Sequence, residues 1–112
     1  MDIPLETIRA NSEQMAERLK FLSHPDRLLM LCRMADEEVT VSELVDLTGM
    51  SQSAVSQHLA RFRESGLVSV RPQGQARHYR LDDDAIRAII HALCDICERS
   101  GEAGCAVDVT PR

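Results

Sequence analysis

The chain has 112 residues, 44% of them apolar and 28% charged, with a formal net charge of −5. That size fits one domain with a limited core of its own, and the composition is globular, not disordered. No apolar run is long enough to span a membrane, and the N-terminus lacks the basic-then-apolar pattern of a secretion signal. A cytoplasmic location is therefore expected, and with it four cysteines that serve as free thiols, ligands or redox groups, not as a disulfide framework.

In chain order, Leu5, Ile8, Met15, Leu19 and Leu22 recur at helical spacing and predict a first helix. Ser23-His24-Pro25-Asp26 ends it and starts a second, with proline at an early helical position. Leu28, Leu31, Cys32 and Ala35 share one face of that second helix. Asp36-Glu37-Glu38 is a polar turn. Thr40-Val41-Ser42-Glu43 reads as a capping box, and the short helix it opens stops at Gly49. Ser51 caps a fourth helix running to about Ser65, where Gly66 stops it. Two short helices joined by a glycine-containing turn form a helix-turn-helix unit.

Leu67 to Arg71 and Arg77 to Leu81 read as strands, with Pro72-Gln73-Gly74-Gln75 as the turn of a hairpin. Asp82-Asp83-Asp84 favours a helix start. Ile86, Ile89, Ile90, Leu93, Ile96 and Cys97 then give a last helix a broad apolar stripe. The expected organisation is one domain over residues 1–100 and a loose tail over 101–112, with no internal repeat. The fold class is mainly α with a small β-hairpin, a winged helix-turn-helix. Its first and last helices carry more apolar surface than so small a core uses, which predicts a homodimer formed through them.

The functional signal lies between Ser51 and Arg80. Gln52, Ser53, Ser56 and Gln57 place amide and hydroxyl groups on adjoining faces of the first two turns of the fourth helix, chemistry suited to base edges in the major groove. From His58 to Arg80 the arginines Arg61, Arg63, Arg71, Arg77 and Arg80 face one acid, Glu64. Arg61, Arg71, Arg77 and Arg80 are expected to serve phosphates, with Arg77 at the hairpin tip. This local basic surface outweighs the acidic net charge, because phosphate attraction acts over about 10 Å at moderate salt. There is no glycine-rich phosphate loop, no metal-hydrolase pattern and no nucleophile-base arrangement, so an enzyme such as a small thiol peroxidase is not expected. His24, His58 and His91 are expected as surface residues.

Leu22-Ser23-His24-Pro25-Asp26-Arg27-Leu28, Ser51-Gln52-Ser53-Ala54-Val55-Ser56-Gln57-His58-Leu59 and Arg63-Glu64-Ser65-Gly66-Leu67-Val68 resemble the ArsR/SmtB family of bacterial repressors over about residues 15 to 98. The resemblance implies a homodimeric winged helix-turn-helix that binds an inverted repeat in double-stranded promoter DNA and releases it when an effector binds or a thiol reacts. It places Gln52, Ser53, Ser56 and Gln57 on the family's base-contacting positions.

Two of the family's effector sites are missing. Glu38-Val39-Thr40-Val41-Ser42 has no thiol where the arsenic and cadmium type resembles Cys-Val-Cys. The zinc and cobalt type retains only Asp83, its other positions falling on Ala85, Ile96 and Arg99. The resemblance is closest to the thiol-redox (HlyU/BigR/SqrR-like) branch, which implies a redox role for Cys32. The branch's second thiol falls on Glu98, leaving Cys97 as the expected partner, ahead of Cys94 and Cys105. No cofactor is expected in this reading. The alternative is As(III), Zn(II) or Cd(II) held by Cys94, Cys97 and Cys105, with His91, Cys94 and Cys97 spaced along one helix.

Overall fold

The computed structural model describes residues 3–99. The chain runs α1 (Leu5–Lys20), α2 (Pro25–Asp36), α3 (Val41–Thr48), α4 (Gln52–Glu64), β1 (Val68–Gln73), β2 (Ala76–Leu81) and α5 (Asp84–Arg99). This is the expected winged helix-turn-helix. The proposed tail over 101–112 lies outside the described residues.

Each boundary has a local cause. Pro25 occupies the first position of α2, where its missing N–H costs nothing, and the His24 side chain accepts from the Asp26 amide at 3.1 Å. Thr40 and Glu43 form the reciprocal capping box at the start of α3. Gly49 ends that helix in the left-handed region at φ +78°, a conformation costly for any residue with a Cβ. Ser51 caps α4 through the Ala54 amide at 3.1 Å, and Asp83 caps α5 through the Ile86 amide at 3.0 Å.

The core is built by α2 to α5 and the hairpin. Met30, Leu31, Met34 and Ala35 of α2 are buried with Leu44, Val55, Leu59, Phe62, Leu67, Tyr79, Leu81, Ile86 and Ile90. α2 is therefore enclosed on more than the one face its leucines marked. Met30 and Met34 are core residues, whereas Leu28 and Cys32 are half-buried. α1 contributes no buried residue. It leaves Leu5 62% and Ile8 48% exposed, and α5 leaves Leu93 and Ile96 exposed at 39% and 56%.

The hairpin is tighter than its composition indicated. Pro72 and Gln73 belong to β1, paired with Arg77 and Ala76, so only Gly74 and Gln75 turn. Gly74 sits at φ +64°, the conformation a two-residue turn asks of its first central residue when glycine stands there. Val39, between α2 and α3, joins the hairpin by a reciprocal backbone pair with Tyr79, at 2.9 and 2.8 Å.

Candidate nucleic-acid interface and thiol pair

The inward face of α4 is Val55, Leu59 and Phe62, all buried. This anchoring turns Gln52, Ser53, Ser56 and Gln57 outward, and all four are exposed. With four polar side chains held on a rigid helix, the exposed surface offers both donors and acceptors over two turns.

The pleat of the hairpin sorts the arginines. Arg71 and Arg80 stand on one face with His78, whereas Arg77 shares the opposite face with Tyr79, near the tip. Arg61, Arg77 and Arg80 are exposed. Arg71 is already engaged. Its Nε and Nη2 grip the Glu38 carboxylate at 2.6 to 3.2 Å, a two-pronged charge-assisted bond. The Arg71 bond, with the nearby charges of His78 and Arg80, holds the Glu38 carboxyl below its ordinary range. Arg71 was expected to be a free phosphate ligand. Composition could not reveal Glu38, distant in sequence, as its partner.

His24 and His91 are exposed, as expected, whereas His58 is half-buried. The His58 ring lies 5.7 Å from that of His24 and stacks on Phe62 at 6.4 Å. The Arg27 guanidinium sits 5.7 Å above the Phe21 ring, and Phe21 meets Phe62 edge-on at 5.6 Å. Burial, then the charges of Arg27, His24 and Arg61, hold His58 below its ordinary value. These contacts pin α4 to the turn between α1 and α2.

The thiols lie along a seam where α2 and α5 pack side by side. Arg87 donates to the Ala35 carbonyl at 3.2 Å and to the Leu81 carbonyl. His91 Nε2 meets Asp36 Oδ1 at 2.8 Å. One turn further along α5 and one turn back along α2, the Cys32 and Cys94 thiols face each other across the seam, close enough to act on one another. Burial, the neighbouring Cys94 and the Asp36 charge push the Cys32 thiol up to about 11. Cys32 and Cys94 are free thiols, Cys32 half-buried and Cys94 exposed. Cys97, the partner expected for Cys32, is disulfide-bonded and not joined to Cys32. The helix turn explains the difference: Cys94 shares the α2-facing side of α5 with Arg87 and His91, and Cys97 lies further round.

Among the described residues, no group of three or more His, Cys, Asp or Glu side chains is gathered to hold a metal ion. Of the alternative ligand set, Cys105 lies outside those residues. Asp83 is occupied otherwise, capping α5 and pairing with Arg18 at 3.3 Å. No described helix is long and apolar enough to cross a membrane.

Known proteins share this architecture. Residues 24–70 match the family model described as bacterial regulatory protein, arsR family. The HTH-type transcriptional regulator YgaV of Escherichia coli is 42% identical over 93 residues, covering 82% of this chain and 94% of that protein. The transcriptional activator HlyU of Vibrio cholerae is 38% identical over 89 residues, covering 80% and 82%. The crystal structure of the transcriptional repressor BigR from Xylella fastidiosa superposes with a TM-score of 0.76 at 34% identity, covering 84% of this chain and 96% of that one. With its helix-turn-helix, its wing and relatives that match along most of their length, the chain belongs to the arsR family of bacterial transcriptional regulators.

Proposed function

We propose that this protein is a homodimeric repressor that binds an inverted repeat in promoter DNA and releases it when Cys32 and Cys94 are oxidised to a disulfide. The observation that carries the reading is the pair of free thiols, Cys32 and Cys94, adjacent across the seam between α2 and α5. Two thiols in contact on separate helices are positioned for a bond that needs Cα atoms within about 7 Å. α2 belongs to the DNA-binding core and α5 carries exposed apolar surface suited to a second copy. A covalent link between them changes how the two reading heads sit relative to each other.

In this reading Gln52, Ser53, Ser56 and Gln57 meet base edges, and Arg61, Arg77 and Arg80 meet phosphates. Arg71 acts as a strut that fixes the wing through Glu38. No cofactor takes part. Cys97 is engaged in a disulfide, and among the described residues Cys32 and Cys94 are the free thiols.

The test is fluorescence anisotropy of labelled DNA from the protein's own promoter, with protein reduced, treated with peroxide or treated with polysulfide. Oxidised wild type is expected to lose roughly tenfold or more in affinity, the range of ordinary allosteric couplings. Cys32→Ser and Cys94→Ser are expected to stay bound. Release by both variants to the wild-type extent would sink the dithiol switch.

A further inference from the structure

We propose that the switch reacts in one fixed order, with Cys94 the site where the oxidant enters and Cys32 the thiol that resolves it. The inference rests on the dithiol reading above and goes on to assign each sulfur a distinct step.

Access separates the two sulfurs. Cys94 is exposed and Cys32 is half-buried beneath it, packed against the apolar core. A second copy seated on α5 does not remove this difference. Leu93 and Ile96, the exposed apolar residues of α5, lie on a different side of the helix from Cys94, which shares its side with His91 and Arg87. Burial also pushes the Cys32 thiol up to about 11. An exposed sulfur meets a dissolved oxidant directly, whereas one held under cover beside an apolar core does not.

The order gives a balanced reaction. With a peroxide, the Cys94 thiolate attacks one oxygen; an S–O bond forms, the O–O bond breaks and hydroxide leaves. Cys32 then loses its proton to water and attacks the Cys94 sulfur; the S–S bond forms, the S–O bond breaks and the hydroxide departs as water. Two thiols lose two electrons to one peroxide. With an inorganic polysulfide, Cys94 first takes one sulfur as a persulfide and the shortened polysulfide leaves. Attack by Cys32 on Sγ of Cys94 then expels hydrosulfide and forms the same disulfide. The Asp36–His91 bond, one turn away on the same seam, keeps the second step short in range by holding α5 against α2.

The experiment is peptide-mapped alkylation of the reduced full-length protein with iodoacetamide near neutral pH, followed by peroxide treatment of Cys32→Ser and Cys94→Ser with dimedone present. Burial raises Cys32 from an ordinary 9.0 to about 11, and the gain in nucleophilicity recovers only part of the lost thiolate. Alkylation of Cys94 is therefore expected to outpace that of Cys32 about tenfold or more. Cys32→Ser should trap a dimedone adduct at Cys94, and Cys94→Ser should leave position 32 almost unlabelled. Labelling of Cys32 at an equal or faster rate overturns the order. That result is separable from failure of the switch itself: the order falls alone if DNA release still needs both thiols, and the switch falls if release needs neither.

Discussion

At the scale of single residues, His58 is the one whose surroundings reach furthest. It stands on the helix that carries the exposed polar face, yet its ring is held against His24 and Phe62. The charged and titratable groups around it are Arg27 and Asp26 from α2, His24 from the preceding turn and Arg61 from its own helix. Its folded value lies below the ordinary 6.5, so between the two values the unfolded chain binds more protons than the folded one. Stability is then fully present above the ordinary value and falls as pH drops through it. Melting temperature is expected to decline from about pH 8 to about pH 5, and His58→Asn is expected to flatten that decline. Equal slopes for the two proteins in differential scanning fluorimetry would place the pH dependence elsewhere.

At the scale of elements, the proposed interface divides reading by the helix-turn-helix from gripping by the wing. Gln52→Ala is expected to change preference at one base pair by about 1–3 kcal/mol. Arg77→Ala is expected to weaken all sequences alike and to lower the slope of log affinity against log salt by about 1. Anisotropy titrations over a salt series with matched and mismatched sites distinguish these outcomes. The elements themselves were legible because their signals are local. The Thr40–Glu43 box, the Gly49 and Gly66 stops and the Ser51 cap each act within a few residues. The hairpin turn was read too long because Pro72 suits a turn. It also suits an edge strand whose missing N–H faces away from the ladder. The partner of Arg71 is not legible in the sequence, since Glu38 reaches it only after the chain has folded back, and Cys94 stands there only as a second choice for Cys32. The position the resemblance marks, Glu98, lies one turn from Cys94 on the same side of α5, whereas Cys97, one residue nearer, is turned about 100° from Glu98.

At the scale of the molecule, the apolar surface is not all consumed by one copy. α1 buries nothing of its own, and Leu5, Ile8, Leu19, Leu93 and Ile96 remain exposed. In the proposed dimer these residues meet their counterparts, and two recognition helices reach half-sites about one DNA turn apart. Ile8→Glu puts a charge into that surface without touching the core. It is expected to give a monomer by sedimentation equilibrium and to weaken operator binding by roughly a hundredfold, the loss that follows when two linked contacts become one. A dimer that survives both Ile8→Glu and Leu93→Glu would move the interface off these helices.

The backbone pair between Val39 and Tyr79 ties the wing to the residue that leaves α2, with the Glu38–Arg71 grip beside it. The hairpin is consequently no free flap: its root is mechanically continuous with the helix that carries Cys32. A strain introduced at the thiols has a path to the basic tip through covalent chain and two backbone hydrogen bonds. The exchange rates of the Val39 and Tyr79 amide protons thus become a built-in gauge, reporting from the wing whether the proposed Cys32–Cys94 disulfide has formed.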